Sequence, residues 1–401
     1  MLRPDTFALT ALLALITGLG PVSTDMYLPS LPDISRALSA SPAEVQLTLS
    51  AYLVAFAVGQ ITYGPVSDRC GRKPVMVVAL VLFCATNLVC AVAPTIEVLI
   101  AARALQALGG SGAVVVARAI VRDLYAGARA GRELSLMGAI MGIAPIVAPV
   151  VGGVLQTAFG WRANFLVALG VGLIAVTIVW RSLPETLRER APEPISLAGV
   201  LRVYRGIARN GAFISHLGIT ATSYAGLFAW LSGSSFVLQQ VYGLSPFRFG
   251  IAFALCSLGF LLGTLLAARL VSRIGLDRTI GLGSLALAAG GLAMCAGLAL
   301  GSTSVAVIVG TTALYLFGLG LAMPQAMAGA LTPFPDRAGA ASSLVGFVQQ
   351  TSAAMLGAVV GHTLGETAWP IALPIAAMGC LALILWTMTR RVRERDGKRL
   401  P

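Results

Sequence analysis

One carboxylate stands out in the first apolar segment of this chain. Asp25 lies near the end of a run from Phe7 to Pro29 that carries no other charge. A carboxylate within the hydrocarbon of a bilayer costs roughly 2.5–3.5 kcal/mol on insertion scales. A carboxylate that is placed there despite this cost usually binds a proton, an ion or a ligand. The sequence therefore predicts that Asp25 is a functional residue.

The composition indicates a membrane protein. Hydrophobic residues make up 57% of the 401 residues, charged residues 11%, and the mean hydropathy is +0.87. Soluble domains carry about 25% charged residues. A membrane helix needs about 20 apolar residues, and twelve segments of that kind are predicted. They are 6–29, 44–65, 74–93, 95–117, 133–156, 162–182, 212–238, 247–268, 279–299, 304–326, 339–362 and 370–390.

The basic residues fall in alternate connections between these segments. Of the 28 Lys and Arg, all but Arg36, Arg103, Arg162 and Arg248 lie on one predicted side. Because basic loops stay cytoplasmic, both termini are predicted to be inside. The net charge of +12 is thereby explained by topology, and no nucleic-acid partner is expected.

The longest polar connection divides the segments into six and six. The predicted domains are an N-terminal bundle (1–182), a cytoplasmic linker (183–211), a C-terminal bundle (212–390) and a basic cytoplasmic tail (391–401). A short basic turn after the second segment, around Gly71, recurs after the eighth, around Gly275. The predicted fold class is thus an all-α integral membrane protein with two pseudo-symmetric six-helix bundles, an arrangement typical of alternating-access transporters.

Arg103 is the second charge that lies deep in a segment. At 1.5 Å per residue it lies ~12 Å below the outer surface, and Asp25 lies ~6–10 Å below the same surface. The two are therefore predicted to pair. Two interpretations remain open: Asp25 takes up and releases a proton, with burial and Arg103 acting in opposite directions, or the pair is a structural bridge.

The turn after the second segment has the sequence Gly64-Pro-Val-Ser-Asp68-Arg69-Cys-Gly71-Arg72-Lys73. It resembles the signature loop of the major facilitator superfamily, G-x-x-x-D-R-x-G-R-[RK]. Further stretches, including 23–32, 103–109, 117–124 and 330–339, are similar to the Bcr/CflA drug-resistance branch. The resemblance implies proton-driven export of drugs across the bacterial inner membrane.

The same turn predicts a cytoplasmic gate. Gly64 would allow close helix approach, and Gly71 would allow a tight reversal. Asp68 is expected to face the N-terminus of the eleventh segment, and Arg72 to reach Asp123. Solvated loop charges are the alternative, and that alternative suits Arg69 better.

The fifth segment carries a hinge-like face. Gly142, Pro145, Pro149, Gly152 and Gly153 follow helical spacing on one side. Small residues permit close helix packing, and prolines permit bending. The pattern resembles the exporter motif G-x-x-x-G-P-x-x-G-G imperfectly, since Ala144 precedes the first proline. Tight packing without a bearing on transport direction is an equal alternative.

A chamber for varied drugs should be apolar and aromatic with a few polar anchors. The candidates in inward-facing segments are Tyr27, Tyr52, Phe56, Gln106, Met141, Tyr224, Phe228, Trp230, Phe253 and Gln349. Ordinary packing is the alternative for most of them. Tyr27 is the strongest candidate because it lies half a turn from Asp25.

The predicted function is drug/proton antiport, and the alternative is proton-coupled uptake of a small nutrient. The six cysteines show no metal-ligand spacing. The sequence also lacks a nucleophile motif and a phosphate loop, so neither an enzyme nor a cofactor is expected. The expected partners are a small-molecule drug, protons and the lipid bilayer, and the protein is predicted to act as a monomer.

Overall fold

Each predicted segment contains one long helix in the computed structural model, which describes residues 7–125, 127–187, 197–334 and 337–397. None of these residues forms a strand, and the all-helical fold class is confirmed. In chain order the helices are α1 (Phe7–Asp25), α2 (Leu31–Ala37), α3 (Pro42–Cys70), α4 (Arg72–Val92), α5 (Ile96–Leu124), α6 (Gly127–Phe159), α7 (Arg162–Ser182), α8 (Leu197–Ile207), α9 (Gly211–Phe236), α10 (Pro246–Ile274), α11 (Leu276–Ala299), α12 (Val305–Leu331), α13 (Ala338–Thr363), α14 (Trp369–Met388) and α15 (Arg390–Gly397).

Within the described residues, 11 helices are long and apolar enough to cross a membrane. The helix at the predicted seventh position, α9, is not among them although it has 26 residues. Its hydroxyl side chains lower its hydropathy. Several of them are buried and bond to carbonyls of the preceding turn, as Thr220 does to His216 at 2.9 Å and Ser223 to Ile219 at 2.7 Å. The count of twelve spans remains a prediction.

The chain divides into two compact units. The first comprises Met1–Ile195 with Pro246–Gly250, and the second comprises Ser196–Ser245 with Ile251–Pro401. In the first unit α1 packs against α5, α6 and α7, and α4 packs against α5 and α7. In the second, α9 packs against α12, α13 and α14, and α11 against α12 and α14. The same order of pairing therefore occurs in both units, as an internal repeat would produce.

The core of the first unit is formed where α1, α4, α5 and α7 face one another. Ile16, Phe83, Ile120 and Ala175 each have no exposed surface there. In the second unit, α8 packs Ile207 into a cluster with helices α9, α12 and α13. The predicted linker 183–211 is thus in part a packed helix.

The predicted basic tail begins with helix α15, which packs against α9 and α14 of the second unit. Arg393 is buried, and its Nε donates to the Asp277 carboxylate at 2.6 Å. Its Nη1 donates to the Ser215 hydroxyl at 3.0 Å. Asp277 follows the turn at Gly275, so helix α15 is held beside the second copy of the repeated turn.

Helices α4 and α5 approach each other closely at Gly109. A Cβ at this position would lie 2.6 Å from the backbone nitrogen of Phe83 and 2.8 Å from the carbonyl oxygen of Ala79. No side chain fits at such distances without a shift of the backbone. Gly109 therefore sets the spacing of two helices that carry site residues.

The variant Gly109→Ala should lower the free energy of unfolding by about 1–3 kcal/mol, since the added methyl overpacks a rigid contact. Thermal unfolding in detergent measures this loss. Gly138→Ala on α6 is the matched control, because nothing lies within 4 Å of a Cβ there. Equal melting temperatures for the two variants would contradict the close approach.

Candidate functional site

Asp25 lies at the end of a helix and not within one. Helix α1 ends at Asp25, and a 3₁₀ turn at Leu28–Ser30 precedes α2. Pro29 and Pro32 account for this ending, because proline lacks an amide donor and disfavours helical geometry in the residue before it. The Asp25 side chain is buried, and among the described residues it takes part in no ion pair or hydrogen bond.

Arg103 lies on α5 with no exposed surface. Its Nη1 donates to the carbonyl oxygen of Ser23 at 3.2 Å and to Oε1 of Gln106 at 2.5 Å. The guanidinium carbon lies 4.7 Å from the centroid of the Tyr27 ring and 4.4 Å from that of Tyr52. Two aromatic faces thus hold a cation in the interior of the first unit.

The predicted ion pair between Asp25 and Arg103 is absent from this structure. The guanidinium reaches the backbone two residues before Asp25, so the two side chains occupy one region. Neutral acceptors and aromatic rings take the place of the carboxylate. Among the described atoms, Arg103 Nε and Nη2 have no hydrogen-bond partner.

The aromatic candidates of the first unit surround this cation. The Tyr27 hydroxyl lies 2.9 Å from the Thr48 hydroxyl, and the Tyr52 hydroxyl donates to the carbonyl of Gly20 at 3.3 Å. Phe56 stacks on Tyr52 with a centroid distance of 6.1 Å. The structure thus brings together predicted residues from α3, α5 and the turn after α1.

Sequence reasoning missed Asn87 on α4, which is fully buried. Its Oδ1 accepts a hydrogen bond from Nε2 of Gln106 at 2.7 Å, and its Nδ2 donates to the carbonyl of Phe83 at 2.7 Å. Gln106 is thereby part of a buried polar chain and has no exposed surface. The sequence feature that could have revealed Asn87 is its amide in an otherwise apolar segment, because a buried amide requires a hydrogen-bond partner.

Two of the aromatic candidates in the second unit contact each other. Trp230 on α9 stacks on Phe253 of α10 with a centroid distance of 6.2 Å. Phe228 and Gln349 are buried, and Tyr224 is half-buried. The remaining candidate, Met141, lies on α6, and its side chain is outside the described part of the structure.

The turn between α3 and α4 has the predicted contact between Arg72 and Asp123. Arg72 Nε donates to Asp123 Oδ2 at 2.8 Å, and Arg72 Nη1 lies 2.5 Å from Asp68. Gly71 has a φ of 101°, which favours glycine, and the tight reversal is confirmed. The predicted partner of Asp68, near residue 336, lies outside the described residues.

Two other residues of this turn have no close packing role. A Cβ at Gly64 would meet nothing within 4 Å, so the predicted close helix approach at this glycine is wrong. Arg69 is exposed, as expected of a solvated loop charge.

A second missed residue, Glu185, caps the start of α4. Its carboxylate accepts hydrogen bonds from the backbone amides of Arg72 at 2.9 Å and Lys73 at 3.2 Å. A carboxylate is favourable there because a helix N-terminus carries a partial positive charge. The next residue, Thr186, donates to Asp123 Oδ2 at 3.2 Å. The segment after α7 therefore joins the α3–α4 turn to the end of α5.

Helix α6 carries the predicted hinge face. It continues unbroken through Pro145 and Pro149 from Gly127 to Phe159. Gly152 packs on the backbone carbonyl of Met26, where a Cβ would collide, and Gly153 is buried. A Cβ at Gly142 would meet nothing within 4 Å, so the prediction of close packing at this glycine is wrong. Bending of this face remains a prediction.

Comparisons with known proteins agree with this architecture. A family model described as Major Facilitator Superfamily matches residues 13–358 and 226–400. The uncharacterized MFS-type transporter YdgK of Bacillus subtilis (strain 168) is 32% identical over 394 residues, covering 96% of this chain and 97% of the relative. Multidrug resistance protein D of Escherichia coli (strain K12) is 31% identical over 386 residues, covering 96% of each. A bicyclomycin resistance protein homolog of Haemophilus influenzae is 30% identical over 386 residues, again covering 96% of each.

Solved structures share the fold at low sequence identity. The crystal structure of a D-xylose-proton symporter has a TM-score of 0.75 at 15% identity, covering 96% of this chain and 97% of that one. An inward-facing bacterial homolog of the lysosomal transporter Spinster has a TM-score of 0.74 at 16% identity, covering 97% and 98%. Such likenesses carry the fold alone.

Fold and matches together define a multi-pass transporter of the bacterial inner membrane, which is not an enzyme. The chain belongs to the Major Facilitator Superfamily. Its predicted resemblance to the drug-resistance branch is confirmed by relatives with those names.

The variant Glu185→Ala should lower the free energy of unfolding by about 0.5–2 kcal/mol, the usual effect of losing an N-terminal cap. Thermal unfolding in detergent measures the change. Glu366→Ala removes an exposed carboxylate elsewhere and is the control. A Glu185→Ala protein as stable as this control would show that the cap has no stabilising effect.

Asp68→Asn should lower transport several-fold and leave expression and melting temperature unchanged. The Asp68 side chain is 50% exposed, so its pairing with Arg72 stabilises the fold little. Arg69→Gln removes a neighbouring exposed charge and is the control. Undiminished transport by Asp68→Asn at equal expression would remove Asp68 from the gate.

Proposed function

We propose that this protein exports small amphipathic drugs across the inner membrane in exchange for protons, and that Asp25 carries the proton. The observation that carries the proposal is the buried Asp25 carboxylate, which has no ion-pair partner among the described residues. Such a group is free to gain and lose a proton as its surroundings change. Related proteins named for multidrug and bicyclomycin resistance support drugs as the cargo.

The chemistry near Asp25 favours neutral or cationic cargo. The nearby cation, Arg103, has no exposed surface and is held between two aromatic rings. An anionic compound would therefore meet the Asp25 carboxylate without an accessible positive charge. Aromatic faces of Tyr27, Tyr52 and Phe56 suit planar or lipophilic compounds.

Alternating access requires that the cytoplasmic side opens and closes during each cycle, and we propose that the turn at Gly71 takes part. The contacts of Arg72 with Asp123, and of Glu185 with the start of α4, are proposed to hold this turn in one state. Packing of α6 through Gly152 against the residue after Asp25 is proposed to link the hinge face to the proton carrier. One copy of the chain contains all of these residues, so a monomer is proposed to be sufficient.

Expression in a host that lacks its own drug pumps should raise resistance to part of a compound panel. The panel contains the lipophilic cations ethidium and tetraphenylphosphonium, the neutral compounds chloramphenicol and bicyclomycin, and an anionic β-lactam. We expect resistance to cations and neutral compounds and none to the anion. Asp25→Asn should abolish concentrative export of the cations, because no proton can be exchanged at that site.

The control is Asp33→Asn, which removes an acid that already pairs with Arg36 near the surface. Full resistance by Asp25→Asn, with an unchanged dependence on the proton gradient, would contradict the carrier role. Increased drug sensitivity, or growth on a scarce nutrient in place of resistance, would indicate the alternative function of proton-coupled uptake.

A further inference from the structure

A chain of buried hydrogen bonds crosses three helices of the first unit. Asn87 on α4 accepts from Gln106 on α5 at 2.7 Å, and Gln106 accepts from Arg103 at 2.5 Å. Arg103 then donates to the carbonyl of Ser23 on α1 at 3.2 Å. Asn87, Gln106 and Arg103 have no exposed surface. The chain ends two residues before Asp25.

The direction of this chain is fixed at both ends. At one end the carbonyl of Phe83 can only accept, so the Asn87 amide must present its NH₂ there and its oxygen to Gln106. At the other end a guanidinium can only donate, so Gln106 must present its oxygen to Arg103. An amide has one accepting and one donating side, and both amides satisfy both neighbours in only this arrangement.

Gln106 alone would not be held in this way. Without Asn87, its amide could rotate and place its NH₂ against the guanidinium, where two donors would face each other. Arg103 would then lose its shortest hydrogen bond while Nε and Nη2 already have no partner among the described atoms. The carboxylate of Asp25 is an acceptor in the same region, because Tyr52 lies near both Arg103 and Asp25.

We propose that Asn87 is a positioning residue for proton exchange. Through the amide of Gln106 it keeps Arg103 on the carbonyl of Ser23 and between Tyr27 and Tyr52, away from the Asp25 carboxylate. The inference rests on the proposed role of Asp25 as proton carrier. It adds a residue of α4 that does not itself touch Asp25.

The groups that face Asp25 and Arg103 are few in the described structure. Tyr27 follows α1, Tyr52 comes from α3, and Cys90 of α4 lies near Arg103. On the other sides, Gly152 of α6 lies against the backbone of Met26, next to Asp25, and Phe165 of α7 lies near Arg103; both are uncharged. A change in the position of Arg103 is therefore the main electrostatic change that Asn87 can cause at Asp25.

The test is an infrared titration of the reconstituted full-length protein without any drug. The band of a protonated carboxyl group is followed against pH, and Asp25→Asn identifies the contribution of Asp25. In Asn87→Leu, a near isostere, the released guanidinium should approach Asp25 and favour the ionised carboxylate. The midpoint of the band should then move to lower pH by roughly one unit, at the lower end of the effect of a neighbouring opposite charge.

Two further variants separate positioning from packing. Gln106→Met removes the hydrogen bond between Gln106 and Arg103 directly, so the midpoint should again move to lower pH. This variant tests the inference even if Asn87→Leu folds poorly. In the double variant Asn87→Leu/Gln106→Glu, both oxygens of the new carboxylate accept, so Arg103 is held again. The midpoint should therefore return to the wild-type value or above it.

Thr86→Val is the matched control, because Thr86 neighbours Asn87 and its hydroxyl donates to the same carbonyl of Phe83 at 3.1 Å. Its midpoint should not move. An unmoved midpoint in Asn87→Leu, an equal shift in Thr86→Val, or a double variant that stays shifted would each overturn the inference. A wild type in which Asp25 never takes up a proton would instead overturn the proposed function, and this inference with it.

Discussion

The burial of the Arg103 guanidinium is the constraint on which the first unit depends. Moving a cation out of water costs several kcal/mol even after the protein relaxes. Here the compensation comes from a backbone carbonyl, one amide oxygen and two aromatic faces. Cation–π contacts contribute about 2 kcal/mol or more each when desolvated. Because none of these partners is charged, the Arg103 cation is stabilised without an ion pair to the carboxylate of Asp25.

This compensation requires several helices to meet within hydrogen-bond distance. Asn87 and Gln106 can bond across α4 and α5 because Gly109 lets the two backbones approach. On the far side of α1, the contact of Gly152 with the Met26 carbonyl brings α6 against the turn that follows Asp25. Small residues thus set the distances between the helices, and these short distances allow the buried polar side chains to form hydrogen bonds between helices. A larger residue at either glycine would displace the groups that surround the Arg103 guanidinium as well as the apolar core.

Sequence reasoning located the helices because apolar length and the distribution of charge are local properties, and each predicted segment contains a helix. It also found the contact of Arg72 with Asp123, since Arg72 begins α4 and Asp123 lies at the end of α5 on the same predicted side of the membrane. It placed Asp25 and Arg103 at a similar depth but paired them wrongly. Depth follows from counting residues along a helix axis, whereas partner choice depends on rotation about that axis. Glu185 was missed for the same reason, because its partners are backbone amides distant in sequence.

The two units repeat an order of helix pairing but not its chemistry. Both have a turn with a positive-φ glycine, Gly71 and Gly275, after the second long helix. In the first unit an arginine of that turn pairs with the end of α5, while in the second Arg393 from the end of the chain pairs with Asp277. In the second unit the rings of Trp230 and Phe253 stack on each other, whereas in the first unit the rings of Tyr27 and Tyr52 lie against the Arg103 cation. A duplicated scaffold can therefore keep its packing while the charged contacts differ between the two copies, because packing depends on residue size and the charged contacts on a few buried polar side chains.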